Sequence, residues 1–429
     1  MRYGGWFSLV LALTALATAR ESDRPAASWT HWRGPTEQGH VHDDKVPLTW
    51  DEKTNILWKA SLPGDGHSSP ILHNGRVFLT GSTGGKDFHV FCLDALTGKM
   101  LWQQTAAKDQ PIERTHAWHG YASPSCATDG KYVYAFFGSP GLFCYTVEGK
   151  LVWEKKFGTF VSKAGWGTAA SPYLYGNTVI VNCDNDGGPG AAPAALVALD
   201  KATGKEVWST PRDQGRGFST PVLLKTATGR LDLVLNGPAG LWGYDPATGK
   251  ELWRITRSDP KDQHQFGEPL PVSDGQQLFI LSGRTGPWQI ARLPDKGDCT
   301  PTHVVHTATR GKRDVCSPIL VEGRVYCVDK GAQLSVFDLK TGKKTATLDL
   351  KRGANAMASP IYVRGKLLWT LGEGTTVVVE PGATPQIVRR NKLPGESLDY
   401  GASPAVVDGR LYLRARQTLW CIGQTENTK

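Results

Sequence analysis

Helical periodicity is almost absent from this chain. Apolar residues do not recur at i, i+3, i+4 and i+7 over successive turns, which excludes helix bundles and sheets joined by crossover helices. The one long apolar stretch, Trp6–Leu16, is too short for a membrane span of about 20 residues. No two of the eight cysteines are adjacent, and neither C-x-x-C nor C-x-x-C-H occurs. That excludes a thioredoxin-type redox motif and covalent haem attachment. There is no G-x-S-x-G elbow, phosphate loop or H-E-x-x-H, so hydrolases, nucleotide-binding loops and zinc proteases of those types find no support. The net charge is +9, but the lysines and arginines are scattered and form no single basic stripe. Nucleic acid is therefore not expected as a partner.

What is present is a repeat. Asp94–Trp102 reads D-A-L-T-G-K-M-L-W and returns as Asp200–Trp208 and Asp245–Trp253 with the same spacing. A looser copy runs Tyr145–Trp153, and another starts at Asp338 but carries Ala346 in place of Trp. Each copy reads as a strand ending in Asp, a Thr-Gly turn in which glycine takes a positive φ, and a returning strand with Lys outward and Trp inward. The Asp carboxylate is placed to accept hydrogen bonds from turn amides. A buried Trp removes roughly 150–250 Å² from water. At about 25 cal/mol/Å² that amounts to roughly 4–6 kcal/mol as an upper bound. One Trp per repeat, packed on the next repeat, would dominate the contact between them.

A second mark recurs: Ser69-Pro70, Ser123-Pro124, Ser171-Pro172, Thr220-Pro221, Glu268-Pro269, Ser317-Pro318, Ser359-Pro360 and Ser403-Pro404. The prolines are 42 to 54 residues apart, a period suited to four-stranded propeller blades. Proline at a strand start gives up an N–H that the ladder does not need. Turns such as Asn74-Gly75, Asp129-Gly130 and Asp408-Gly409 then separate apolar runs, a hairpin signal. Eight marks predict an all-β, eight-bladed β-propeller of four-stranded antiparallel blades. The last blade runs out of chain after three strands, whereas a Trp-bearing strand, Ile56-Leu57-Trp58-Lys59, precedes the first mark. The ring is expected to close through that N-terminal strand in the last blade, which removes two open edges.

The D-x-x-T-G-K-x-x-W motif, the blade length and the Ser-Pro starts resemble the quinoprotein-type (PQQ-repeat) β-propeller family, which includes quinoprotein alcohol dehydrogenases and BamB-like outer-membrane assembly proteins. The resemblance covers residues 50 to 423. It implies the propeller fold, with Asp94, Asp200 and Asp245 at the turns and Trp58, Trp102, Trp153, Trp208 and Trp253 docking between blades. Fold does not settle function. In the dehydrogenases the resemblance implies a quinone (PQQ) at the propeller axis, stacked between a Trp and a disulfide of adjacent cysteines, with Ca²⁺ held by acidic and amide side chains. This sequence has no adjacent cysteine pair, so no cofactor is expected, and PQQ with Ca²⁺ stands as the alternative.

Residues 1–19 read as a cleavable export signal: Arg2, an apolar stretch and Ala17-Thr18-Ala19. The first cysteine is Cys92, so no lipid anchor is expected and the protein is assigned to the periplasm or the outside. Residues 20–50 form a lead-in, with Trp32-Arg33-Gly34-Pro35 and Pro47-Leu48-Thr49-Trp50, expected to pack on the propeller flank; this pattern also resembles one ahead of many secreted PQQ-repeat propellers. Residues 51–429 form a single propeller, expected to be monomeric. Cys92, Cys144 and Cys421 share one register in three blades, with Ala198 in a fourth, as small buried residues do. Cys299 reads as the most exposed thiol, and disulfide pairing is left open.

Residues just ahead of each mark should ring one mouth of the central channel, where propellers bind ligands. They are His67, Tyr121, Trp166, Arg216, Phe218, His264, Glu268, Asn355 and Tyr400, with His119 close by. These side chains either plug the channel or form a site for a small ligand or partner protein, and Arg216 and Glu268 could pair across neighbouring blades. Asp184-Asn185-Asp186-Gly187-Gly188 offers oxygens suited to Ca²⁺, but lacks the rest of a calcium loop. The sequence thus points to an exported, non-enzymatic binding or scaffold propeller, with a quinone-dependent or other axial-site oxidoreductase as the alternative.

Overall fold

The computed structural model describes residue 1 and residues 28–425, except 112–114, 117–119, 163–164, 214, 227, 258–265, 285, 310, 314 and 396–398. The export signal lies outside the described residues. Eight four-stranded antiparallel sheets follow one another around a ring, forming an eight-bladed β-propeller. Blade 1 holds Ile71–His73, Arg76–Thr83, Asp87–Asp94 and Met100–Ala107. Blades 2 to 7 open at Ala127–Thr128, Tyr173–Tyr175, Val222–Lys225, Val272–Ser273, Ile319–Val321 and Ile361–Val363. Blade 8 takes three strands from the end of the chain, Ala405–Val407, Arg410–Ala415 and Thr418–Ile422. Its fourth is Ile56–Ser61, paired antiparallel with Thr418–Ile422 so that Trp58 faces Cys421. The expected closure is thus present.

The middle strands of each blade are buried on both faces, and the fourth strands alternate, as in Met100–Ala107. The repeated Asp works as its spacing suggests. Asp94 Oδ1 accepts from Leu96 N (3.0 Å), Thr97 N (2.8 Å) and Thr97 Oγ1 (2.7 Å), and Asp200 does the same with Ala202 and Thr203. These bonds, the threonine hydroxyls first, hold Asp94 and Asp200 below the ordinary carboxylate range against a smaller upward push from desolvation. The turn glycines make room for the tryptophan of the preceding blade. A Cβ on Gly98 would meet the Trp58 ring at 2.5 Å, one on Gly149 the Trp102 ring at 2.8 Å, one on Gly204 the Trp153 ring at 2.7 Å and one on Gly249 the Trp208 ring at 2.3 Å. The indoles of Trp102 and Trp153 donate across the same gap to Val147 O and Lys201 O, both at 3.0 Å. Trp253 differs: its indole N–H donates to Asp232 Oδ2 at 2.7 Å within its own blade.

At the centre, a chain of hydroxyls joins the blades. Ser69 N donates to Ser125 Oγ, Ser125 N to Ser171 Oγ, and Ser171 N to Thr220 Oγ1, at 2.8–2.9 Å. On the other side Leu270 N donates to Ser317 Oγ, Ser317 N to Ser359 Oγ, Ser359 N to Ser403 Oγ and Ser403 N to Ser69 Oγ, at 2.9–3.0 Å. Buried amides need acceptors, and a Ser or Thr opening each inner strand supplies one to its neighbour. This ring corrects two of the sequence marks. In blades 2 and 5 the equivalent residues are Ser125 and Leu270, two positions after Ser123 and Glu268. A shift of two keeps every side chain on the same face, so strand patterning alone could not separate the registers. Leu270 offers no hydroxyl to Thr220. Asn236 Nδ2 bridges that gap, donating to Pro269 O (2.7 Å) and Leu281 O (2.8 Å).

The lead-in does not lie on the flank as expected. Residues 28–41 cross the axis and reach the inner edge of all the blades. Trp29 pairs with Leu72, and Thr30 O accepts from Thr128 N at 2.9 Å. Glu37 is held by the Tyr173 hydroxyl and by Leu223 N. Trp32 packs against the cluster containing Val222 and Leu270 and donates to Ser403 Oγ at 3.4 Å. Arg33, buried, donates to Pro318 O (3.2 Å) and Pro360 O (3.3 Å). His40–Val41 adds as a short parallel strand inside Ile361–Val363. Only the later part follows the flank, with Trp50 N bonded to Asn391 in the outer strand of blade 7. The inner strand edges carry unused donors and acceptors around an open hole, and a segment rich in polar groups satisfies them there.

All eight cysteines are buried, and none is joined in a disulfide. Cys92, Cys144 and Cys421 stand opposite Trp102, Trp153 and Trp58 in their sheets, as Ala198 stands opposite Trp208. Cys299, expected to be the most exposed, is 1% exposed, for reasons given by the loop described below. No described helix is long and apolar enough to cross a membrane.

Candidate functional site

The hydroxyl ring and the Trp32 indole form the floor of an axial pocket whose walls are the segments leading into each blade. The pocket has a cavity volume of about 170 Å³ and opens to solvent, room for a compact organic molecule. Each blade contributes the residue two positions before its ring residue: His67, Ser123, Ala169, Phe218, Glu268, Val315, Met357 and Gly401. The repeat ends at this layer, because no two of these eight side chains are the same. Trp166, Arg313 and Lys330 reach in from above.

Of the residues predicted for the mouth, His67, Trp166, Phe218 and Glu268 line the pocket. Tyr121 packs on Gly85, where a Cβ would meet its ring at 2.6 Å. Tyr400 is 2% exposed and lies over Gly374. Asn355 lines a separate polar hollow with Lys351, Glu373 and Asp399. His119 and His264 lie outside the described residues. The suggested pairing of Arg216 with Glu268 is replaced by another: Arg216 Nη1 bonds Asp186 Oδ2 at 2.9 Å and its guanidinium lies 4.9 Å from the Phe266 ring. Asp184, the other acidic residue of the possible calcium loop, gives both oxygens to Arg212, at 2.8 and 3.1 Å.

Ser123, Ala169, Val315, Met357 and Gly401 were not predicted for the mouth from the sequence, nor were Trp32, Arg313 and Lys330. Ala169, Val315, Met357 and Gly401 lie two positions before marks already in register, and Ser123 follows once Ser125 is taken as a ring member. Trp32, Arg313 and Lys330 come from a remote segment and from loops, and carry no positional signal.

The electrostatics are mixed. The Arg313 guanidinium sits 4.9 Å from the Trp166 ring centre, and His116 stacks on the same indole at 4.0 Å with 21° between planes. Burial holds Arg313 below its usual value, against the pull of Glu268. Burial, with Arg313 nearby, pushes the Lys330 ammonium down to about 8. Glu268 is the only carboxylate among the described lining residues. The pocket therefore combines flat aromatic faces, two cations, one carboxylate and a floor of hydroxyls.

His67 is neutral in this setting. Burial, then the Arg416 and Arg414 guanidiniums, lowers it to about 4. Asp399 is 3.8 Å away, but its carboxylate is already held by Arg416 at 2.9 Å. His31 in the lead-in is likewise lowered to about 4, chiefly by burial. A histidine whose folded pKa lies below its unfolded value binds more protons when unfolded between those two values. Stability is therefore retained above about 6.5 and lost as the pH falls towards 4. At 1.36 kcal/mol per unit, His67 alone accounts for about 3 kcal/mol of that loss. Urea unfolding at pH 7 and pH 4 is expected to show a smaller acid loss for His67→Gln than for the native chain, by about that amount. Equal losses would contradict a buried neutral His67.

Comparison with known proteins agrees with this architecture. The family described as outer membrane protein assembly factor BamB, built of PQQ repeats, matches residues 43–117, 86–293, 190–368 and 244–428. Over 193 residues the chain is 28% identical to a 1-butanol dehydrogenase (quinone) of Thauera butanivorans, covering 41% of this chain and 28% of that protein. Over 231 residues it is 26% identical to the quinoprotein alcohol dehydrogenase PedH of Pseudomonas putida, covering 48% of this chain and 36% of the relative. The chain thus spans about a third of the length of the curated relatives it matches. Among solved structures, BamB from Moraxella catarrhalis superposes with a TM-score of 0.63 at 14% identity, covering 86% of this chain and 99% of that one. A europium-containing methanol dehydrogenase gives 0.67 at 11% identity, covering 90% and 89%. Those two likenesses establish the fold alone. The family match runs through nearly the whole propeller, and the chain belongs to the PQQ-repeat, BamB-type propeller family.

Proposed function

We propose that this protein is an exported binding propeller that holds a compact, flat, anionic organic molecule in its axial pocket without transforming it. The observation that supports this reading is the convergence of eight unlike side chains at one layer of an otherwise regular ring, capped by the Trp166–Arg313 stack and Lys330. A ring kept only for structure has no use for that variety. Cation-backed indole faces suit an aromatic carboxylate, which they can meet by stacking and by charge. The leader-like residues 1–19 support export from the cytoplasm, and the protein is taken to act as a monomer.

The curated relatives favour a second reading, quinone-dependent alcohol oxidation. The residues present do not fit the cofactor arrangement that the family resemblance implies. No disulfide joins the eight cysteines, and Cys126 and Cys316, next to ring residues, turn into the cores instead of the pocket. Glu268, the lone lining carboxylate among the described residues, lies within the field of Arg313, a poor setting for a divalent cation.

Indole fluorescence should report the ligand, since Trp32 and Trp166 line the pocket. Titration with benzoate, phthalate and 4-hydroxybenzoate is expected to quench it saturably, and Arg313→Ala to weaken binding by about tenfold, the effect of losing one charge-assisted bond. In parallel, the protein is incubated with pyrroloquinoline quinone, Ca²⁺, 1-butanol and a redox dye. No alcohol-dependent dye reduction is expected. Dye reduction would establish the oxidoreductase reading, and absence of saturable quenching by all three acids would sink the anion-binding one.

A further inference from the structure

Blade 5 breaks the repeat where its third and fourth strands join. In blades 1, 3, 4 and 6 a short Thr-Gly turn makes this connection. Here Pro287–Arg292 and Val304–Thr309 are linked by a longer loop, residues 293–303. The loop is fixed at several points. Gly297–Asp298 adds as a parallel strand to the outer edge of blade 4, opposite Trp253 and Arg254. Cys299 N donates to Arg254 O at 2.9 Å, and Thr256 N donates to Thr300 Oγ1 at 2.7 Å. Thr300–His303 then forms one helical turn, closed by His303 N to Cys299 O at 2.8 Å. The far end is held by Arg230 Nη2, which donates to Asp295 O at 2.8 Å.

This scaffold brings three different donor atoms together. Asp295 Oδ1 lies 3.8 Å from Cys299 Sγ and 3.8 Å from His303 Nε2, and all three atoms are within 4.8 Å of one another. We propose that Asp295, Cys299 and His303 form a binding site for a zinc-class divalent transition metal at the junction of blades 4 and 5. A carboxylate, a thiolate and an imidazole together suit Zn²⁺ and its neighbours, whereas Ca²⁺ and Mg²⁺ take oxygen sets. Around a tetrahedral zinc with bonds of about 2.0–2.3 Å, ligand atoms stand roughly 3.3–3.6 Å apart. The two distances to Asp295 need to close by a few tenths of an ångström, and the sulfur–imidazole pair, within 4.8 Å, by about 1 Å at most, which side-chain rotation supplies.

The second contacts are in place as well. His303 Nδ1 lies 2.8 Å from Thr302 Oγ1, which leaves Nε2 turned toward Asp295. When Nδ1–H donates to that hydroxyl, carboxylate and imidazole face each other with lone pairs, and a cation between them reconciles the two. Asp295 is exposed, His303 half-buried and Cys299 buried, so the sulfur closes the inner side and the fourth position opens to water. On binding, Cys299 gives its thiol proton to solvent and the metal accepts lone pairs from sulfur, nitrogen and oxygen. The axial pocket plays no part in this site.

The test is a Co²⁺ titration of the purified full-length chain after chelator treatment. One equivalent is expected to bind with a near-ultraviolet sulfur-to-cobalt charge-transfer band, displaced by Zn²⁺. Cys299→Ser should abolish the band. His303→Gln and Asp295→Asn, which alter side chains at the surface, should keep the fold and weaken binding by at least about tenfold. Zn²⁺ should raise the melting temperature of the native chain but not of the variants. Absence of the band, or a band and affinity unchanged in His303→Gln and Asp295→Asn, would overturn the site even if Cys299→Ser failed to fold.

Discussion

A chain shortened to begin after Ser61 is expected to lose its cooperative unfolding transition and to associate. Among the described residues, Ile56–Ser61 is the strand that covers the outer edge of Thr418–Ile422. Its removal bares a row of backbone donors and acceptors beside a buried apolar strand, a template for pairing with a second chain. It also strips the inner edges that residues 28–41 satisfy, including the carbonyls held by buried Arg33. The single change Trp58→Ala isolates the packing part. That indole covers Gly98 of blade 1 and donates to Ala95 O at 3.3 Å. Because Trp58 is partly exposed, the expected cost is about 3 kcal/mol, the lower end for a large aromatic. Circular dichroism melts with light scattering check both. A shortened chain that stays monomeric and melts like the native one would refute closure by this strand.

The strand, the turns and the handing-on of tryptophans were legible because each repeats, and a repeat averages out local ambiguity. Asp94, Asp200 and Asp245 sit at the same corner for the same reason, and one correct reading serves all three. The axial pocket was half legible for the opposite reason. His67 and Phe218 were found by counting back from a mark, and Glu268 because it stood in a mark itself, but Ser123 and Glu268 stood two residues from the true ring members of their blades. Alternation on a strand repeats every two residues, so no pattern of polarity distinguishes Ser123 from Ser125. Only the chain of hydroxyl-to-amide bonds does, and it depends on which amides face the axis. Trp32 was harder still. Its segment has no repeat, and nothing in W-R-G-P tells a flank from a channel. The deciding fact is that eight inner strand edges carry unsatisfied groups which some part of the chain must cover. Cys299 failed similarly: its loop reads as irregular and therefore exposed, yet a two-residue parallel pairing with blade 4 folds the thiol inward.

The buried ion pair of Arg212 and Asp184 should give the largest effect of any single substitution. Their side chains are 1% and 0% exposed. Burial works against the Arg212 charge, but Asp184 and the Tyr244 hydroxyl outweigh it and hold the group above its ordinary value. Gly217 passes so close that a Cβ there would meet Asp184 Oδ2 at 2.4 Å, so neither partner has room to swing toward water. Asp184→Ala would strand a guanidinium in the interior, at an expected cost of about 3–5 kcal/mol. Arg212→Met leaves the carboxylate stranded and should cost a similar amount. The double variant removes both charges and should recover much of the loss, since a well-packed apolar pair often matches a buried ionic one. Arg257 and Arg414 show that this chain can also bury a guanidinium on neutral acceptors: Arg414 donates to Ser68 O and Thr80 O, Arg257 to Gly237 O and Leu281 O, and burial lowers both to about 9. Arg212 lacks such a cradle of carbonyls in its described contacts and relies on Asp184. Urea unfolding of the two single variants and the double variant at pH 7 decides the matter. Additive losses, or a loss below about 1 kcal/mol for Asp184→Ala, would show that the pair is not coupled in this way.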